Sequence, residues 1–346
     1  MSTPMRGRVA ALVVVSLACT GAAAGYLVHV AQRSAAGTRA VAVRAGAPSL
    51  AGLRHQPHVL FRSMVPGAVT QGRVGAVPVE APGGPRAITN LKCWRVYVAG
   101  GRGICVDDNP GFLVSFGVAF FGPDLKVQHQ SALDGSPSRA RVSPDGRLAA
   151  VTMFREGDSY AVVGAFSTAT TFYDTLSGAR LANLEDFTVT RDGVRFQAVD
   201  FNFWGVTFAR ERGKFYATLG TGGQTYLVEG TVQSRQVHVL RRGVECPSLS
   251  PDNTRIAFKR LVSKGVGGLG PLHWRVSVLD LETLKDKFVA DTRNVDDQVE
   301  WLDDKTLLYA VDDGTGPLDT WAVPADGTGK PRLFIPAGDS PTVVRD

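Results

Sequence analysis

A hairpin plan recurs four times along the 346-residue sequence, and this repetition restricts the fold more than any other feature. Each copy has a short strand-like run, a tight polar turn and then a strongly apolar run. The copies occupy residues 139–154 around Ser143-Pro144-Asp145-Gly146 and 204–219 around Glu211-Arg212-Gly213. The others occupy 246–261 around Ser250-Pro251-Asp252-Asn253 and 299–311 around Asp303-Asp304. With Asp145, Arg212, Asp252 and Asp303 as markers, the spacings are 67, 40 and 51 residues. Four antiparallel strands and their turns need about 40–45 residues, the period of a propeller blade. The long first interval has room for an extra hairpin, and residues 188–199 around Asp192-Gly193 have that pattern.

Two further strand-like runs follow each hairpin, for example 275–281 then 286–290, and 320–323 then 332–335. An earlier unit, 93–133, has the same layout with Gly100, Gly101 and Gly103 in its turn. A sixth unit is split between the chain ends. Val74-Gly75-Ala76-Val77-Pro78 followed by Pro85-Arg86 echoes Thr320-Trp321-Ala322-Val323-Pro324 followed by Pro331-Arg332. Residues 58–90 therefore read as the second, third and fourth strands of a blade whose first strand is missing. Ser340-Pro341-Thr342-Val343-Val344 reads as that strand, so 341–346 are expected to pair with the 58–90 blade and leave no open edge there. The expectation is an all-β, six-bladed β-propeller over residues 58–346. No long amphipathic helix interrupts it, and 39 Gly and 19 Pro suit its many turns.

The Ser-Pro-Asp-Gly and Ser-Pro-Asp-Asn turns lead into Arg147-Leu148-Ala149-Ala150-Val151 and Arg255-Ile256-Ala257-Phe258. This pattern resembles the β-propeller repeat of TolB-like proteins, over about residues 58–346. Asp at the turn with Gly or Asn after it suits positive φ, so the motif has a structural cause. The resemblance is more specific for fold than for function, since such repeats occur in a periplasmic component of the cell envelope and also beside peptidase domains. Together with the N-terminal anchor and the lack of a catalytic motif, the repeats point to an extracytoplasmic propeller of the bacterial cell envelope that binds or scaffolds without catalysis. TolB carries an additional N-terminal α/β domain, where this sequence has 57 residues that read as an anchor and a tether.

Charge divides along the chain. Residues 1–79 contain eight Arg and no acid, whereas 80–346 carry a net −2 within a total of +6. A nucleic-acid-binding domain is normally basic itself, so no nucleic-acid partner is expected. Arg6 and Arg8, in a cytoplasmic segment 1–8, precede a 23-residue apolar run at 9–31. At about 1.5 Å per residue this run is long enough to cross a bilayer, and the leading arginines send the remainder outward. Ala22-Ala23-Ala24 offers a cleavage point, so a signal peptide and a secreted protein stand as the alternative to a single-pass signal anchor. Ser16-Leu17-Ala18-Cys19 has a polar residue where a lipoprotein site needs an aliphatic one. Residues 32–57 read as a flexible tether. An exported chain permits a disulfide. Cys93 and Cys105 are the closest pair, joined through a Gly-rich hairpin, with Cys246 left as a buried thiol.

A serine hydrolase needs a Gly-x-Ser-x-Gly elbow, which is absent from the sequence. The Gly-rich runs at 220–223 and 265–270 lack the Lys-Ser/Thr pair and the following helix of a phosphate loop. Acidic clusters are the stronger candidates. Asp200, Asn202 and Trp204 enter one innermost strand, Glu245 another, and Asp296, Asp297, Gln298, Glu300 and Trp301 a third. In a propeller these positions meet at one mouth of the central channel, which makes them the expected binding face. Asp200, Glu245 and Asp297 would be the Ca²⁺ ligands of the alternative reading, a metal-dependent hydrolase or lactonase. The same carboxylates equally suit turn caps, and the two tryptophans equally suit inter-blade core. The leading expectation is a monomeric binding propeller with no cofactor and a protein or envelope ligand.

Overall fold

Strands in this chain bury both faces, which explains why their apolar runs are continuous. Ala149, Ala150, Val151, Thr152 and Met153 are all buried. Ala149, Val151 and Met153 enter one hydrophobic cluster, while Ala150 enters the next. Only a sheet sandwiched between two others needs such a sequence. The computed structural model describes residues 49–109, 115–155, 167–263, 272–312, 314 and 316–345, together with Cys19 and Gly21. It forms six sheets arranged as the blades of a propeller, antiparallel throughout except for one pairing at the outer edge of the fourth.

Blade 1 has the order Gly338–Val344, His58–Ser63, Arg73–Pro78, Ala87–Lys92 from the axis outward. Blade 2 contains Arg95–Ala99, Arg102–Asn109, Ser115–Phe121 and Val127–Leu133. Gly135–Val142, Leu148–Arg155, Thr168–Asp174 and Arg180–Asn183 form blade 3. Blade 4 runs through Asn202–Phe208, Lys214–Thr221, Gln224–Thr231 and Gln236–Arg242. Its outer edge gains the hairpin Thr188–Arg191 and Val194–Phe196, whose first strand pairs in parallel with Gln236–Arg242. Glu245–Leu249, Arg255–Ser263, His273–Asp280 and Asp286–Phe288 form blade 5. Blade 6 consists of Glu300–Trp301, Thr306–Val311, Asp319–Pro324 and Arg332–Ile335.

Among the described residues, the apolar core divides into clusters that sit between neighbouring blades. Val59, Phe61 and Val343 of blade 1 pack on Leu308, Ala322 and Phe334 of blade 6. The chain ends meet there, with Val59 opposite Val343 and Leu60 opposite Thr342. Thr342 also receives the Val98 N–H at 3.1 Å, which ties the closing strand to blade 2.

The two Ser-Pro-Asp turns are wired alike. Ser143 Oγ donates to Asp145 Oδ1 at 2.5 Å and accepts from Leu148 N at 2.9 Å. Ser250 Oγ likewise donates to Asp252 Oδ1 at 2.5 Å and accepts from Arg255 N at 3.0 Å. Gly146 and Asn253 both have positive φ, at 72° and 61°. Gly100 and Gly146 also touch across blades 2 and 3, where a Cβ on Gly100 would lie 2.4 Å from the Gly146 nitrogen.

The expected membrane span at 9–31 lies outside the described residues apart from Cys19 and Gly21. No helix among the described residues is long and apolar enough to cross a membrane. Within the segment expected to be a tether, Leu50–Leu53 forms a helical turn capped by Ser49. Its Leu53 is fully buried in the cluster between blades 1 and 2. Cys93 and Cys105 are joined in a disulfide, and Cys246 is a buried free thiol.

Candidate functional site

The innermost strands place an unexpected set of basic side chains on the propeller axis. Arg95 begins the inner strand of blade 2, and Arg139 and Arg141 alternate with Ala140 and Val142 in that of blade 3. Arg141 reaches across to the opposite blade, where Nη2 donates to Val299 O at 2.8 Å and faces Glu300 Oε2 at 3.7 Å. Its guanidinium stacks on the Tyr97 ring, 4.3 Å from the centroid. From the other side Gln298 donates to Val206 O at 3.1 Å and Pro247 O at 2.8 Å. Arg141 and Gln298 close the channel at its waist.

The predicted acidic residues divide between this knot and its surroundings. Asp297 is buried, accepts from Gln298 N at 2.8 Å and faces Arg95 at 3.7 Å. Arg95 also pairs with Asp339 at 3.3 Å, and Asp339 with Arg62 at 3.5 Å. Asp296 bonds Lys259 and lies 3.8 Å from Arg139. Burial works against its charge, but Lys259, Arg139 and Arg95 outweigh it and hold the carboxyl below its ordinary range. Glu245 faces Lys259 at 3.8 Å and accepts from Trp274 Nε1 at 3.3 Å. Glu300 is pushed upward by burial, partly offset by Arg141 and Arg345.

Asp200 stays apart from this knot. It is exposed and caps the turn after Lys214–Thr221, accepting from Thr221 Oγ1 at 2.6 Å and Gly222 N at 2.7 Å. Asn202 links blades 3 and 4 by accepting from Thr168 N at 2.8 Å. Trp204 and Trp301 are buried, and Trp301 Nε1 donates to Ser248 O at 2.9 Å. Asp200, Glu245 and Asp297 thus engage different partners and do not assemble the Ca²⁺ ligand set. Among the described residues, no three His, Cys, Asp or Glu stand together as a metal site.

A funnel of about 450 Å³ opens on the face of the first-hairpin turns and ends blindly on Arg141 and Glu300. Every blade contributes to its wall, through Tyr97, Arg141, Thr207, Leu249, Trp301 and Val343. Arg210 stands at its rim, and Arg345 crosses its wall to the Trp301 and Leu302 carbonyls. On the other side of the waist lies a void of about 20 Å³ beside Arg95, Arg139 and Ser340. It borders the buried Gln298 Oε1 and Arg141 Nε, which have no hydrogen-bond partner among the described residues. One water fits a void of this size and matches one donor with one acceptor.

Sequence reasoning found Glu245, Asp296, Asp297 and Glu300 and missed Asp339, Arg62, Arg95, Arg139, Arg141 and Lys259. A signal existed in Arg139 and Arg141, two arginines on one face of a strand otherwise suited to burial.

No protein-family description matches the sequence, and no curated protein is similar to it in sequence. Solved structures do match. TolB from Acinetobacter baumannii aligns with a TM-score of 0.54 at 14% identity, covering 83% of this chain and 66% of that one. A chain from a crystal structure of the nidogen/laminin complex aligns at 0.53 and 13% identity, covering 83% and 98%. A puromycin hydrolase aligns at 0.45 and 15% identity, covering 77% and 42%. At these identities the likeness is one of fold: a TolB-like six-bladed propeller.

Proposed function

We propose that this protein is a non-catalytic binding module, held outside the cytoplasm by the 9–31 segment and receiving its ligand in the funnel. The observation that carries the reading is how the ionisable groups on the axis are spent. Arg95, Arg139, Arg141 and Lys259 each face a carboxylate of the knot, at distances up to 3.8 Å. Such pairs fix the shape of the channel, and among the described residues on the axis they engage the acids and bases that proton transfer would need free. The disulfide supports export, because such bonds persist in oxidising compartments. The funnel lies within the size range of ligand pockets and has polar groups set in an apolar wall.

Photo-crosslinking in intact cells tests this. A photoreactive residue at Gly101 or Arg210 on the funnel rim is expected to trap a discrete adduct. The same residue at Leu181, exposed on the outer strand of blade 3, is expected to trap none. Equal adducts from both places, or none from the rim, would refute the funnel as the binding site. Ca²⁺-dependent hydrolysis by the purified full chain, abolished by Asp200→Asn, would refute the non-catalytic reading.

A further inference from the structure

We propose that a cleft between blades 1 and 2, apart from the axis and the funnel, is a saccharide-binding site with the Trp94 ring as its platform. The cleft measures about 550 Å³ and is lined by Arg62, Gln71, Lys92, Trp94 and Asp107, with Gly67–Gly72 as one wall. Trp94 is 45% exposed, whereas Trp204, Trp274 and Trp301 are all under 9% and Trp321 is half-buried. A large ring left in water is the informative kind of surface residue, especially where the backbone beneath it is rigid.

Rigidity is built in on both sides. Cys93, immediately before Trp94, is tied to Cys105 by the disulfide, and its N–H donates to Gly72 O at 3.0 Å. The Trp94 N–H donates to Val106 O at 2.6 Å, so the residue is pinned from both neighbours. Across the cleft, Thr70 Oγ1 lies within 3.0–3.3 Å of the Val65, Pro66 and Gly67 carbonyls and staples the loop. Gly67, at φ 138°, leaves the space this staple needs, since a Cβ there would stand 2.9 Å from Thr70 Oγ1. Arg62 lies over the Trp94 ring at 4.5 Å and is itself held by Asp339 at 3.5 Å, which fixes the ring's orientation.

The lining chemistry selects the ligand. Guanidinium, amide, ammonium and carboxylate groups line the cleft beside the ring, a set rich in donors with acceptors at Gln71 and Asp107. A sugar ring offers C–H groups to the tryptophan and paired hydroxyls to planar side chains. An apolar peptide would find only the small Ala68 in the lining, with Val69 exposed beside it in the chain. A simple anion would meet Asp107 as well as the two cations. Pre-organised walls reduce the ordering cost that weakens binding of a flexible oligosaccharide.

The test uses the full chain in a detergent without a sugar headgroup. Acrylamide quenching reports chiefly on Trp94, the most exposed of the five tryptophans. Chitotetraose, cellotetraose, maltotetraose, a heparin tetrasaccharide and inorganic phosphate are titrated separately. At least one tetrasaccharide is expected to protect the ring from quenching. Calorimetry with that sugar should show binding retained in Trp94→Phe, lost in Trp94→Ala, and weakened about tenfold in Gln71→Ala, the equivalent of one hydrogen bond. Protection by phosphate alone, protection by none of the sugars, or undiminished binding in Trp94→Ala would overturn the proposal. Because the cleft is separate from the funnel, the crosslinking result at Gly101 is independent of every one of these outcomes.

Discussion

Truncation after Ala337 removes the strand that joins the chain ends, and its cost can be worked from the structure. The strand Gly338–Val344 pairs with His58–Ser63 from Ser63 opposite Gly338 to His58 opposite Val344. Val343 is 5% exposed within the cluster between blades 6 and 1, so its loss costs about 1.5–3 kcal/mol in burial. Asp339 is buried between Arg62 and Arg95, and removing one partner of a buried pair costs about 3–5 kcal/mol. Thr342 bonds Val98 N, which adds about 0.5–1.5 kcal/mol. The strand His58–Ser63 would also become an unpaired inner edge. Even the smallest of these figures taken together rival the roughly 5–15 kcal/mol stability of a whole domain. The full chain and the truncated chain, in the same detergent, are unfolded in urea and followed by tryptophan emission. The truncated chain is expected to lose at least about 5 kcal/mol or its cooperative transition altogether. Superimposable curves would refute the closure and the energetic weight placed on it, since a frayed tail changes stability almost not at all.

Three other outcomes are expected. Replacing Cys105 with Ser should lower stability by about 2–4 kcal/mol, and a non-reduced digest of the parent should yield the linked Cys93 and Cys105 peptides. Arg141→Leu, which strands Glu300 in the buried waist, should cost about 3–5 kcal/mol; adding Glu300→Leu should recover part of that, measured as a double-mutant cycle. Burial pushes the Glu185 carboxyl up to about 7, against the pull of the Thr170 N–H and Arg155. A raised acid makes its full contribution below the unfolded value near 4.5 and loses it as pH rises through about 7. Glu185→Gln should therefore gain stability relative to the parent at pH 8 compared with pH 5, read from paired urea melts; no pH-dependent difference would contradict the assignment.

Blade structure was legible because it rests on local chemistry. The Ser-Pro-Asp turns carry their own hydrogen bonds, and Gly146 and Asn253 adopt the positive φ that the motif demands. The echo between Val74–Pro78 and Thr320–Pro324 was readable for a similar reason. Both segments serve as third strands of their blades, so each is confined between two neighbouring blades in the same way. The additional hairpin around Asp192-Gly193 followed from interval length and from the turn residues, whose φ values are 52° and 77°. Local sequence did not reveal that Leu53, just ahead of the first strand, is buried. A four-residue helical turn has no periodicity to detect, and its burial depends on a groove between blades 1 and 2.

The site shows the same division. Sequence alone placed Glu245, Asp296, Asp297 and Glu300 at the innermost strands, because strand order and turn position are short-range properties; it missed Asp339 and misplaced Asp200. It could not determine their state. Asp296 lies 157 residues from Arg139 and Glu300 lies 159 from Arg141, and these groups meet only because six blades close into a ring. That closure turns an apparent carboxylate cluster into a neutralised knot, sets Arg141 across the axis and leaves a blind funnel behind it. Charge in a protein interior is decided by what lies within a few ångströms. Distances of that kind belong to the tertiary structure, whereas the alternation and turns that build each blade are already present in the chain.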